Sequence, residues 1–201
     1  MKDSDEFSIL KKVFKNLGNQ YFDSSNLLIG PGDDAGLFKT RKDLIFSTDT
    51  SLANVHFPRD LGPKLIAYRT CAVAASDIAA CGGKLKWLSI ALTVNTKKKK
   101  WIEDFSKGIK EFSDKYKVPI IGGDLTLGKE ISVSVGVCGE IEKKDFMRRN
   151  KGKEKDLIFV TGVLGEAFAG LNLLKQKKQK LSLSEKNYLK RYLKPKIDFL
   201  F

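Results

Sequence analysis

Histidine is nearly absent from this chain, and cysteine is sparse. The 201 residues hold one histidine, His56, and three cysteines, Cys71, Cys81 and Cys138. The three thiols have no metal-ligand spacing, and their odd count sets aside a disulfide framework, so they read as reduced thiols buried among small residues. Zinc is not expected, with His56 the only histidine and no ligand spacing among the thiols. Long hydrophobic runs are missing too. The longest apolar stretches fall far short of a bilayer span, and the first residues, Met-Lys-Asp-Ser-Asp-Glu, carry acids where a secretory signal has an apolar stretch. The expectation is a cytoplasmic protein without a membrane segment. Acids are outnumbered, 24 Asp and Glu against 37 Lys and Arg, which leaves a net charge of +13. The lysines cluster at Lys97 to Lys100, Lys151 to Lys155 and Lys175 to Lys180, with no aromatic platform between them. No nucleic-acid motif accompanies them, so the excess reads as a solvated surface around an anionic substrate site, with no nucleic-acid partner.

What is present is a globular composition, 42% hydrophobic and 30% charged, enough for one good core or for one domain and part of another. Phe7, Leu10, Phe14 and Leu17 predict an amphipathic helix over 6–19, followed by a loop over 23–35. A short strand at 44–47 leads into Thr48-Asp49-Thr50. The spacing predicts an alanine-rich helix over 63–81 and a buried strand over 85–94. Trp101, Phe105, Ile109, Phe112 and Tyr116 form one helical stripe that reads as core packing. A strand at 118–121 ends on Gly122-Gly123-Asp124. In 131–141, Ile131, Val133, Val135 and Val137 alternate with Ser132, Ser134 and Gly136, as in a strand covered on one face and closely approached on the other. A basic linker at 143–155 precedes a strand at 156–160, the loop Thr161 to Gly165, a helix from about Glu166 and a last helix near 184–193. There is no internal repeat. The pattern is α+β: a first domain over 1–142, and a partial second over 143–201 whose one strand and two helices bury little core alone. A chain stopping on Phe199-Leu200-Phe201 either lacks a continuation or packs its end on the first domain or a second subunit.

The chemistry sits in acids set beside small residues: Gly32-Asp33-Asp34-Ala35, Ser47-Thr48-Asp49-Thr50, Gly122-Gly123-Asp124, and Asp77 within Ser-Asp-Ile-Ala-Ala. Carboxylates gathered by a fold repel one another unless a cation joins them, and hard oxygen donors suit Mg²⁺. Glycines let backbone approach a phosphate closely. An Asp-Asp after Pro-Gly is also a common turn, and a lone histidine is as often a hydrogen-bonded structural residue. Asp77 is the most telling of the set, because a buried unpaired carboxylate on an apolar helix is costly. The loop before the helix at 166 suits either a phosphate or a tight strand-to-helix turn.

These four motifs, in this order and with His56-Phe57 shortly after Thr48-Asp49-Thr50, resemble thiamine-monophosphate kinase. That family lies in the superfamily of aminoimidazole ribonucleotide synthetase, selenophosphate synthetase and hydrogenase maturation protein HypE. The resemblance runs from about Phe7 to about Gly170. It implies an α+β N-terminal domain with a mixed sheet and flanking helices, forming a barrel across a homodimer, followed by an α/β C-terminal domain. It implies ATP- and Mg²⁺-dependent phosphorylation of thiamine monophosphate to thiamine diphosphate, with several Mg²⁺ ions and ATP as co-substrate. By resemblance Asp33, Asp34, Ser47, Thr48, Asp49, Asp77 and Asp124 match metal-binding positions. Gly123, Asp124 and Arg149 match nucleotide contacts, and His56 a substrate contact. No protein nucleophile is expected, since the attacking phosphate oxygen is already anionic and the ions align two phosphates for in-line transfer.

The sequence also departs from the family. Where the family commonly has an arginine after Gly-Gly-Asp-Thr-Thr, this chain has Leu127, which removes one cation. The family's later Ser-Asp-Gly motif does not occur before Phe201. The alternatives are another ATP-using member of the superfamily, or a shortened non-catalytic protein that binds nucleotide or dimerises.

Overall fold

Two β–α–β crossovers build the molecule around one sheet. The computed structural model describes residues 13–31, 34–95, 98–177 and 180–199. A short helix α1 (Phe22–Ser25) leads into a hairpin of β1 (Leu27–Ile29) and β2 (Leu37–Phe38). Then follow β3 (Asp43–Leu52), α2 (Pro63–Ala80), β4 (Lys84–Val94), α3 (Lys99–Tyr116), β5 (Ile120–Leu127) and β6 (Ser132–Ile141). The sheet order is β3-β6-β4-β5. Strand β6 runs antiparallel to both β3 and β4, while β4 and β5 are parallel. Parallel neighbours need a long crossover, which α3 supplies between β4 and β5. Helix α2 joins β3 to β4 with β6 inserted between them. The α+β class with a mixed sheet and flanking helices holds.

The core lies between the sheet's inner face and the two helices. Val133, Val135 and Val137 of β6 are fully buried, as their alternation predicts. Helix α2 begins at Pro63, whose fixed φ suits a first helical turn. Its small residues Ala67, Ala74 and Ala75 are fully buried, so the helix sits close to the strands. The stripe on α3 is core, with Phe105, Ile109 and Phe112 fully buried.

On the outer face, a second small cluster of Leu27, Trp87 and Cys138 is covered by Phe22, Phe38 and Ile121. The rest of that face is open, with Phe46 70% exposed and Leu44 and Leu52 also exposed.

Several boundaries differ from the sequence expectations. The strand predicted at 44–47 continues to Leu52, so Ser47-Thr48-Asp49-Thr50 lies in mid-strand. The strand predicted to stop at Ile121 runs through both glycines to Leu127. The loop predicted over 23–35 contains α1 and β1. Of the helix predicted over 6–19, residues 6–12 lie outside the described residues. Residues 15–18 form turns, with Leu17 buried against the core.

Residues 156–160 form no strand. Leu157, Ile158 and Phe159 are each more than four-fifths exposed. A strand apolar on successive residues needs cover on both faces and a partner along its edge, and the described residues offer neither. Helices α4 (Glu166–Gln176) and α5 (Leu183–Leu193) follow as expected and pack on each other. A capping box between Ser182 and Glu185 starts α5. The Arg69 guanidinium, over the Tyr192 ring at 3.9 Å, ties α5 to α2.

Candidate functional site

The acids fall into two groups. The first sits on the inner face at the β3 edge, where strand alternation turns Ser47, Asp49 and Ser51 inward and Thr48 and Thr50 outward. Asp77 comes from the last turns of α2. The Ser47 hydroxyl donates to its Oδ2 at 2.6 Å. Burial, and then the charge of Asp77, push the Asp49 carboxyl above its ordinary range, while His56 works the other way. Two like charges held together in a partly desolvated place are what a cation relieves. Thr48 lies on the opposite face, paired with Gly136.

His56 sits in the turn after β3. Its Nδ1 accepts the Leu52 backbone N–H at 3.0 Å, and its carbonyl accepts the Tyr192 hydroxyl at 3.0 Å. With Nδ1 occupied by that backbone N–H, Nε2 is the ring nitrogen left for a ligand.

The second group sits at the β5 edge. The hairpin tip brings Asp34 and Gly36 to Gly122, Gly123 and Asp124 around a cavity of about 690 Å³, which Lys15 also lines. That volume is in the range of nucleotide-sized ligand sites, roughly 300–1,000 Å³. Asp124 pairs in register with Ala91 and accepts the Thr126 hydroxyl at 3.3 Å. A Cβ on Gly122 would meet nothing within 4 Å, so the strand backbone there is open to a ligand. Glycine at such a point lets phosphate oxygens reach backbone amides.

Register sets the separation of the groups. Asp49, Val135, Ile90 and Gly123 form one row across the sheet, so Asp49 shares a face with Gly123 and Asp124 takes the other. Three strand spacings separate them, roughly 14 Å. Among the described residues no three metal-competent side chains converge. Asp33 and Gly32 lie outside the described residues. Arg149 stands exposed in a turn at 149–150, and Leu127 is exposed at the end of β5.

A basic protein that presents carboxylates, a hydroxyl and an open glycine strand has the donor types that a cation-assisted phosphate site uses. Residues 32–141 match the family "AIR synthase related protein, N-terminal domain", and the chain belongs to that family. Its curated relatives are thiamine-monophosphate kinases, as the motif order implied. The protein of Buchnera aphidicola subsp. Schizaphis graminum is 40% identical over 193 residues, covering 94% of this chain and 58% of the relative. The Escherichia coli K12 protein is 35% identical with the same coverage. The chain therefore spans about three-fifths of the length of these relatives. Among solved structures, thiamine-monophosphate kinase from Stenotrophomonas maltophilia superposes with a TM-score of 0.78 at 30% identity, over 90% of this chain and 61% of that one. AaThiL complexed with AMPPCP and TMP gives 0.74 at 30% identity, over 90% and 58%.

Two features were not foreseen from sequence: the hairpin that carries Asp34, and the buried Lys86–Glu140 pair beneath it, whose ammonium and carboxylate lie 3.6 Å apart. A lysine inside the apolar run Leu85-Lys86-Trp87-Leu88 is the only signal of the second.

Proposed function

We propose that this chain is the nucleotide- and magnesium-holding part of a thiamine-monophosphate kinase, which transfers the γ-phosphate of ATP to thiamine monophosphate. The observation that carries the reading is the cavity that Asp34 and Asp124 line together with the open Gly122 backbone. The likeness to AaThiL complexed with AMPPCP and TMP supports the substrate pair. The donor set fits magnesium, being carboxylate and hydroxyl oxygens without thiolate or imidazole clusters. Bound Mg²⁺ supplies charge neutralisation between two phosphorylated reactants. Asp34 and Asp124 hold it at the β5 edge, and Asp49 and Asp77 hold it on the inner face, with Ser47 orienting Asp77. Gly122 admits phosphate to the backbone, and Gly123 keeps β5 close against β4 beside it. His56 donates from Nε2 to the monophosphate substrate, and Arg149 offsets nucleotide charge. Thr48 and Asp33 match metal-binding positions of the family.

We further assign residues 1–142 to this binding domain and 143–201 to part of a second. The open outer face, with Phe46, Leu44 and Leu52 exposed, supports a homodimer closed through that face. Three free cysteines suit a reducing compartment, and we place the protein in the cytoplasm. Among the described residues no helix is long and apolar enough to cross a membrane.

The test is calorimetry with Mg²⁺–AMPPCP, together with coupled ADP release in the presence of thiamine monophosphate. Binding that needs Mg²⁺ and weakens in Asp124→Asn and Asp49→Asn supports the site. Binding equal to the parent in both variants refutes it. Binding without turnover in the full-length version removes the substrate assignment and leaves a nucleotide-holding protein.

A further inference from the structure

The acidic hairpin is fastened at both ends by one buried ion pair. Lys86 lies on β4, beside an irregularity in its pairing with β6, and is 5% exposed. Its Nζ stands 3.6 Å from Glu140 Oε2 on β6, with both side chains almost fully buried. That separation is longer than a hydrogen bond. Each charge makes its short bond to the overlying segment instead. Lys86 Nζ donates to the Ser24 carbonyl at 3.1 Å, just before β1. Glu140 Oε1 accepts the Thr40 hydroxyl at 2.7 Å, just after β2. Between these points Lys39 N donates to Asn26 O at 3.0 Å and closes the hairpin's base. Phe38 stacks on the fully buried Trp87 with ring centroids 4.2 Å apart. At the other end of the hairpin, Asp34 and Gly36 line the cavity with Gly122 and Asp124.

A buried ion pair is a poor source of stability, because the desolvation cost offsets the attraction and apolar residues of like volume do as well. Its distinctive property is direction: two charge-assisted bonds aimed at two fixed points. Here those points are the entry and exit of the only described segment that carries an acid to the β5 cavity.

We propose that Lys86 and Glu140 are positioning residues, which fix the seat of Asp34 over the glycine strand and so set the affinity of the site for magnesium-bound nucleotide. The inference rests on the reading of the cavity given under Proposed function. It is tested on the full chain with Thr40→Val, which keeps both charges and removes the exit bond together with the hydroxyl's local bond from the Lys42 backbone N–H, and with Lys86→Met and Lys86→Arg. Asp34→Asn serves as the reference for the cavity itself. Two measurements are made: calorimetric affinity for Mg²⁺–AMPPCP, and amide hydrogen exchange.

Thr40→Val and Lys86→Met are expected to weaken binding about tenfold, the usual scale for outer-shell support of a metal site. Exchange should accelerate at 26–39 while amides of β4 and β6 keep the parent's protection. Lys86→Arg should restore both. Parent-like affinity in Thr40→Val, or exchange that rises evenly across the sheet, overturns the proposal. If Asp34→Asn weakens binding and Thr40→Val does not, only the positioning role falls. If Asp34→Asn binds as well as the parent, the reading of the cavity falls, and this inference with it.

Discussion

Adjacent glycines on β5 stand in opposite surroundings, and alanine placed at each separates folding from binding. At Gly123 a Cβ would lie 2.0 Å from the Ile90 carbonyl oxygen and 2.9 Å from its carbon, both backbone atoms of β4. Real contacts of this kind need more than about 3 Å, so β5 must move away from β4 by about 1 Å. Such a shift stretches the parallel ladder on both sides of Gly123. Losing two bonds at about 1 kcal/mol each, with overpacking strain of about 1–3 kcal/mol, gives roughly 3–5 kcal/mol of destabilisation. For a chain of this size that lowers the melting temperature by roughly 6–20 °C.

At Gly122 a Cβ meets nothing within 4 Å. Gly122→Ala is expected to hold or raise stability by up to about 1 kcal/mol, through loss of unfolded-state freedom. Its methyl group projects where phosphate must approach the strand, so Mg²⁺–AMPPCP affinity should fall at least about tenfold, a loss of ~1.4 kcal/mol. Thermal denaturation and calorimetry on the two variants decide the matter. A Gly123→Ala protein that melts within ~1 °C of the parent refutes the packing reasoning. A Gly122→Ala protein that binds like the parent removes the β5 backbone from the nucleotide site.

Four further outcomes are expected. Burial and Asp77 raise the Asp49 carboxyl above its unfolded value, so its ionised form costs stability at neutral pH, and that cost vanishes as pH falls through its folded pKa. Metal-free Asp49→Asn should therefore melt higher than the parent at about pH 7.5, with the gain shrinking toward about pH 4, near the unperturbed carboxylate range. Added Mg²⁺ should raise the parent's melting temperature more than the variant's; no difference between parent and variant at either pH contradicts the pairing. Asp49→Asn and Asp124→Asn share no described partner and sit on opposite faces, so their effects on Mg²⁺–AMPPCP affinity should add within about 0.5 kcal/mol in a double-mutant cycle. Strong coupling would mean one shared ion. Burial pushes the Cys71 thiol up to about 12 and the Cys138 thiol up to about 11, so at pH 8 a thiol reagent should label Cys81 first; early labelling of Cys71 would show that α2 opens readily. Phe46→Arg should leave the fold intact and yield a monomer by sedimentation if the open outer face closes a dimer; an unchanged oligomeric state would place the interface elsewhere.

The elements legible in the sequence are those whose period matches their burial. Helix α3 shows its stripe at helical spacing because one face meets the core. Strand β6 shows strict alternation because valines fill the inner face. The misread elements are those where local chemistry and tertiary demand diverge. Polar residues in Ser47-Thr48-Asp49-Thr50 suggested the end of a strand. The alternation continues through them, but its inward members meet Asp77 at the sheet edge rather than core, so no apolar period marks it. Gly122 and Gly123 suggested a strand end because glycine has little strand preference. What keeps them in the ladder is the β4 backbone, which leaves no space for a side chain at Gly123. The segment at 156–160 has a strand's composition, yet a strand exists only beside a partner. The clasp of Lys86 and Glu140 joins residues distant in sequence, and no local pattern could announce it.

Motif order named the acids but not their faces, and the faces carry the chemistry. In a ladder of period two, one residue's difference in register moves a side chain across the sheet. Asp49 lies in the row of Gly123, and Asp124 is the next residue along β5. Among the described residues the four motifs therefore do not converge on a single knot of carboxylates. They make two oxygen-donor groups, one under β3 with Asp77 and one at the β5 edge with Asp34, roughly 14 Å apart by strand spacing. No one ion touches both, since ligand distances to such cations are only about 2–2.6 Å. If both groups hold metal, they hold separate ions. The plural number of cations then follows from strand register rather than from the count of aspartates.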